Sequence, residues 1–203
     1  MGSGQWSDSV APVTGDADGP PSDADGPPSD AGDPSPDIRL RRPTEADYRG
    51  IATVVDDWWD GKVIQGLLPR LWFRHFAGTS WIAEIADPRH QAGAPSVAGF
   101  LIGYLSPADP AIGVVQAVGV DPRWRRIGVG RALVEAFADD AGTARATVLE
   151  TLIWPGNRRA LPFLAALGFG PDPDPDARPI YGIPAIEGYD FGTEDRARFT
   201  RGA

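Results

Sequence analysis

Val114 to Arg131 reads V-V-Q-A-V-G-V-D-P-R-W-R-R-I-G-V-G-R. An apolar run of strand length ends at Val120, and Asp121-Pro122 breaks it. An arginine-rich loop follows, and Gly128 and Gly130 open a helix whose apolar face is Leu133, Val134, Phe137 and Ala141. Glycines let a ligand approach the main chain closely. Amides at a helix N-terminus carry partial positive charge and point outward, which suits a phosphate. Arg123, Arg125, Arg126 and Arg131 add charge at the same spot. The stretch reads as a pyrophosphate cradle. It is neither G-x-G-x-x-G nor a P-loop, which needs Lys after its second Gly.

Working outward, Val97–Leu105 and Ile112–Val120 are apolar runs joined through Asp109-Pro110, an antiparallel hairpin. Before them, Ile38–Arg42 reads as a first strand. Thr44 and Asp47 mark a helix start, and Ile51, Val54, Val55 and Trp58 recur at helical spacing. A second helical stretch is expected near Leu67–Phe76, and Trp81, Ala83 and Ile85 alternate as in a strand. After the glycine-started helix, Thr147–Ile153 is a buried-type strand. Asn157 can cap a helix that stops at Gly168. Pro162 fits that helix only if it starts late or kinks. Pro171–Pro179 reads as loop and Arg196–Thr200 as a last strand.

The two glycine-loop and helix segments resemble a family. Arg125-Arg126-Ile127-Gly128-Val129-Gly130 matches the (Q/R)-x-x-G-x-(G/A) motif of the GNAT superfamily of N-acetyltransferases, in its place after a strand ending V-D-P. Asn157, Ala160, Phe163, Gly168 and Phe169 match a second motif, N-x-x-A-x-x-F-Y-x-x-x-G-F, at the expected distance. The resemblance implies an α/β (α+β mixed) fold. Its mostly antiparallel sheet would have six to seven strands, helices on both faces, and a splay between strands 4 and 5. It implies acetyl-CoA as acyl donor. Backbone groups of Val118, Gly119 and Val120 would meet the pantetheine arm. Arg125, Arg126, Ile127, Gly128, Val129, Gly130 and Arg131 would hold the pyrophosphate, and Asn157 would lie near the thioester. The chemistry would be direct attack of an amine on the thioester carbonyl, helped by proximity, an oxyanion donor and proton transfers.

One position departs from the pattern. The family often has Tyr after the motif Phe as the acid for the leaving thiolate, and here it is Leu164. Tyr181 or Tyr189 is a candidate replacement, and Glu150 a candidate proton relay. On the acceptor side, Asp57, Trp58 and Trp59, in a run with Asp56 and Asp60, put carboxylates beside aromatic rings, an arrangement that suits an ammonium-bearing acceptor. The function expected is acyl-CoA-dependent N-acylation, foremost acetylation, of a primary amine on a small molecule or peptide. An acyl-CoA sensor with little catalysis is the alternative that Leu164 leaves open.

Composition sets the outer limits. The formal net charge of the 203 residues is −9. Residues 1–37 hold eight aspartates and neither Lys nor Arg, so residues 38–200, the expected catalytic domain, are near neutral. The leader repeats D-A-D-G-P-P-S at 16–22 and 23–29, a composition that cannot bury enough apolar surface to order itself. A near-neutral domain argues against nucleic acid as partner. With no Cys and only His75 and His90, no metal site is expected. Neither a signal peptide nor an apolar run of about 18 residues is present, so a cytoplasmic protein without membrane association is expected. A homodimer is possible.

Overall fold

The strand pairing of β4 (Ile112–Val120) organises the molecule. In a computed structural model, described over residues 37–59, 64–87, 95–190 and 194–203, β4 runs antiparallel to β3 (Pro95–Leu105) on one side. On the other side it runs parallel to β5 (Val148–Ile153). β1 (Ile38–Arg41) and β2 (Trp81–Ala86) extend the sheet beyond β3. β9 (Glu194–Gly202), β8 (Ile183–Asp190) and β7 (Arg178–Ile180) extend it beyond β5, and the two-residue β6 (Gly170–Pro171) also pairs with β9. All pairs except β4–β5 are antiparallel.

The sheet thus has nine strands rather than six or seven. The additional strands are the short β6 and β7, at the two ends of the stretch Pro171–Pro179 that the sequence reads as a loop. The β7–β8 hairpin turn is Tyr181-Gly182, with φ of 52° and 79°. Two successive positive φ values are the turn geometry whose twist matches a tight hairpin.

Alternation along β3 divides the core in two. Phe100 and Ile102 face one way, into a cluster with Ile51, Val55 and Trp58 of α1 (Asp47–Trp58) and Phe73 of α2 (Leu71–His75). Leu101 faces the other way, with Leu133, Val134, Phe137 and Ala141 of α3 (Val129–Thr143) and Leu164 of α4 (Ala160–Ala166). Helices therefore cover both faces, as the resemblance implied.

Local chemistry explains the element ends. The Thr44 amide and hydroxyl donate to Asp47 Oδ2 at 2.7 and 2.8 Å, and Arg41 forks onto the same carboxylate at 2.7 and 2.9 Å. Burial alone would raise the Asp47 pKa, but the bonds from Arg41 and Thr44 outweigh it and hold the carboxyl below the usual range. The expected helix over Leu67–Phe76 is broken into a 3-10 turn at Gln65–Leu67, the five-residue α2, and a second 3-10 turn at Ala77–Thr79. Pro69 lies at the break, where it cannot donate to a continuing helix. α4 does start late. Pro162 is its third residue, where an amide has no helical acceptor in any case.

Candidate active site

The pairing of β4 with β5 is confined to Ile112–Val148, Gly113–Leu149 and Val114–Glu150, and beyond Val114 the two strands part. The Thr151 hydroxyl donates to the Val115 carbonyl at 2.9 Å and closes the apex of this fork. On its other edge β4 stays bonded to β3. A bulge there puts Ile102 opposite Ala117 and Gly103 opposite Val115, leaving Gln116 as the extra residue. The Asp121 amide donates to the Ala98 carbonyl at 2.9 Å. By antiparallel alternation Gly119 is bonded toward β3, and the main-chain groups of Val118 and Val120 face the fork. The Val120 carbonyl accordingly accepts from Arg125 Nε at 3.2 Å. Gly119 has a different task from its neighbours: a Cβ there would lie 2.5 Å from the Trp59 ring.

The loop from Asp121 to Val129 is pinned at its start. Asp121 accepts from the Arg123 amide at 2.9 Å and pairs with its guanidinium at 2.7 Å. Arg126 has φ 72° and Gly128 φ 97°, so the chain turns sharply into α3. The Ala132 amide bonds to the Gly128 carbonyl at 2.9 Å, which leaves the amides of Val129, Gly130 and Arg131 ahead of the helical ladder. A Cβ on Gly128 would meet nothing within 4 Å. The side-chain NH of Trp124 is buried and has no acceptor among the described residues.

Of the three loop arginines and Arg131 in the first turn of α3, three are committed to protein. Arg123 bridges Asp121 and the buried Asp87, the latter at 3.3 Å. Arg125 donates to the Val120 carbonyl and, at 2.6 Å, to the Trp58 carbonyl at the end of α1. Arg131 donates to the Ala166 carbonyl at 2.7 Å. Arg126 is exposed and makes no side-chain bond among the described residues. Of the apolar loop residues, Ile127 is exposed, whereas Val129 is buried and anchors α3 in the core.

Two sequence expectations change physically. Gly130 does not open space for a ligand: a Cβ there would meet Phe163 Cε2 of α4 at 2.9 Å. Leu164 is 5% exposed in the cluster beneath α3 and α4, a core position. Asn157 does cap its helix, accepting from the Ala160 amide at 3.1 Å.

The acceptor-side residues separate. Asp57 is exposed. Trp58, 9% exposed, stacks on Phe100 with centroids 6.1 Å apart, so it is a core residue rather than a wall of an open site. Trp59 also packs on Phe100, at 5.9 Å. Asp56 accepts from the Ile64 amide at 2.7 Å, while Asp60 lies outside the described residues.

The two tyrosines also separate. Tyr181 is 70% exposed at the hairpin tip, edge-on to Trp154 at 5.7 Å. Tyr189 lines a cavity of about 90 Å³ together with Glu150, Asp172, Asp174, Arg196 and Arg198. Glu150, paired with Val114, stands at the fork's apex. Tyr104, which the sequence reading passed over as part of an apolar strand, lies in the same cross-strand row, opposite Val114. Burial raises the Tyr104 pKa, and Glu150 and Tyr189 raise it further.

Residues 40–169 match the Acetyltransferase (GNAT) family. The chain is 38% identical over 97 residues to an L-2,4-diaminobutyric acid acetyltransferase of Nocardia farcinica, covering 48% of this chain and 46% of that one. It is 33% identical over 122 residues to a protein of the same name from Streptomyces coelicolor, covering 60% and 68%. The chain thus spans about half to two thirds of the length of these relatives. A solved diaminobutyrate acetyltransferase from Paenibacillus lautus, in complex with L-2,4-diaminobutyric acid and coenzyme A, has a TM-score of 0.56 at 20% identity. That likeness covers 82% of this chain and 95% of the other, and speaks to fold. The fork, the turn at Gly128 and the segment from Asn157 to Phe169 all lie inside the matched stretch: the chain belongs to the acetyltransferase (GNAT) family.

Proposed function

We propose that the chain is an acetyl-CoA-dependent N-acetyltransferase acting on a primary amine of a small molecule. L-2,4-diaminobutyric acid is the first candidate acceptor, by likeness to the relatives named above. The observation that carries the reading is the fork, where β4 leaves β5 after three residue pairs and turns the main-chain groups of Val118 and the amide of Val120 into the gap.

The residues present fit the coenzyme. Amides of Val129, Gly130 and Arg131 ahead of the helical ladder, open space beside Gly128 and an Arg126 guanidinium with no partner among the described residues offer a pyrophosphate its donors and charge. By the family resemblance, Asn157 would lie near the thioester and the edge of β4 along the pantetheine arm. When bound, acetyl-CoA supplies an acetyl group activated as a thioester. Glu150 at the apex takes one proton from the incoming ammonium. The amine nitrogen then bonds to the acetyl carbonyl carbon as the carbon–sulfur bond breaks. The sulfur leaves with the electron pair and takes the amine's second proton, directly or by way of Tyr189. Nothing observed favours a non-catalytic sensor.

The test is release of free thiol from acetyl-CoA by the full chain with a panel of amines, alongside calorimetric titration with acetyl-CoA. Thiol release that depends on an amine, with a matching N-acetyl product, is expected. Coenzyme binding without acylation of any amine would instead establish the sensor. Residues 1–37 are proposed to be an appended tail: a chain starting at Ser35 should keep both its melting temperature and its coenzyme affinity.

A further inference from the structure

Tyr104, Glu150 and Tyr189 come from three strands, and among the described residues none of their side chains makes a hydrogen bond or an ion pair. Glu150 is half-buried, so its carboxylate remains open to a ligand. Tyr104 pairs with Val114, and Val114 with Glu150, so the phenol and the carboxylate stand in one row on one face. The α2 side bounds that face with aromatic rings: Trp72 stacks on Tyr104 at 5.7 Å, and Phe76 meets it edge-on at 5.7 Å. On the far side stand Tyr189 and the small cavity beneath β8.

The charges around that cavity do not balance. Glu150, Asp172 and Asp174 line it with Arg196 and Arg198. Arg196 is already held by Asp190 at 2.7 Å and Glu194 at 2.6 Å, and Arg198 by Asp172 at 3.3 Å. The uncompensated charge is negative. Aromatic faces beside a free carboxylate suit an ammonium group.

We propose that Tyr104, Glu150 and Tyr189, on the ring shelf of Trp72 and Phe76, form the acceptor site, and that it selects small amines with a second cationic nitrogen, diamines and diamino acids. Tyr104 orients the acceptor, and Glu150 receives its proton. This rests on the acetyltransferase reading, moves the acceptor site away from Asp57–Trp59, and adds a residue to it.

The experiment is steady-state kinetics of the full chain with L-2,4-diaminobutyric acid, 1,3-diaminopropane and n-propylamine, for the native protein and Tyr104→Phe. Melting temperature and acetyl-CoA affinity are followed in parallel. The substitution removes one oxygen and keeps the ring on Trp72. The expected result is a kcat/KM for the two diamino compounds at least about tenfold above that for propylamine, falling about tenfold or more in Tyr104→Phe. Coenzyme affinity and melting temperature should stay unchanged. An active native protein whose amine kinetics are the same within twofold after the substitution would overturn the site, as would equal use of propylamine and the diamines. Failure of the native protein to bind acetyl-CoA would overturn the acetyltransferase reading itself, a result the calorimetry separates from the other two.

Discussion

Phe163 stands against the Cα of Gly130, so close that a Cβ would come within 2.9 Å of its ring. This contact docks α4 on the first turn of α3. Gly130→Val should therefore act first on stability, lowering it by about 1–3 kcal/mol through overpacking. Gly128→Ala meets no neighbour, but the φ of 97° disfavours any side chain, at a cost of about 1–2 kcal/mol. Thermal melts without ligand measure both costs. A Gly130→Val protein as stable as the native chain would show that the helices do not dock this way.

Arg125 and Arg126 are adjacent but differ in employment. Arg126→Ala should weaken acetyl-CoA binding by about 1–3 kcal/mol with an unchanged melting temperature, because a charge-assisted phosphate bond is all it loses. Arg125→Ala should lower the melting temperature, because it frees the Val120 and Trp58 carbonyls. Calorimetry paired with thermal melts distinguishes the two patterns.

Leu164→Tyr would install a larger, polar side chain at a core position, and a loss of about 1–3 kcal/mol of stability is expected rather than a gain in turnover. Tyr189→Phe should reduce turnover by about tenfold or more if its phenol passes the proton to sulfur. Tyr181→Phe, at the exposed hairpin tip, should leave turnover within about twofold, a magnitude below that of general acid catalysis. Steady-state kinetics of the two phenylalanine variants would reverse this assignment if their effects were exchanged.

The Asp47 carboxyl titrates lower in the folded chain than in the unfolded one. Its contribution to stability is fully present above the unfolded value, about 3.9, and is lost as pH falls through the lower folded value. Melting temperature followed from pH 6 downward should fall less steeply below about pH 4 in Asp47→Asn than in the native protein. An identical acid limb would mean that the Arg41–Asp47 pair does not tie β1 to α1.

What the sequence made legible is local. The run from Val114 to Arg131 carries its own strand, breaker and helix start, and all three stand where the pattern placed them. Asn157 signals its cap in the same way. The bonds of Arg125 and Arg131 were not legible, because Trp58 and Ala166 lie far along the chain from them. Tyr104 was hidden for the same reason. Inside an apolar strand it looks like core, and its neighbour Glu150 depends on the strand order and on the bulge at Gln116. The Tyr181-Gly182 turn did have a local signal, a Tyr-Gly pair between Ile180 and Ile183, but the surrounding prolines and aspartates masked it.

The fork also has a mechanical meaning. A sheet joined across its middle by three residue pairs is nearly cut in two, and its halves meet at a seam only about 7–10 Å long. A molecule lying along the gap and bonding to both edges would act as the missing rungs of that ladder. Anything so bound to the native state adds stability in proportion to the logarithm of its concentration over its Kd. Slowed amide exchange at Val118 and Val120 on adding coenzyme would be the direct sign of this, the ligand having become part of the sheet.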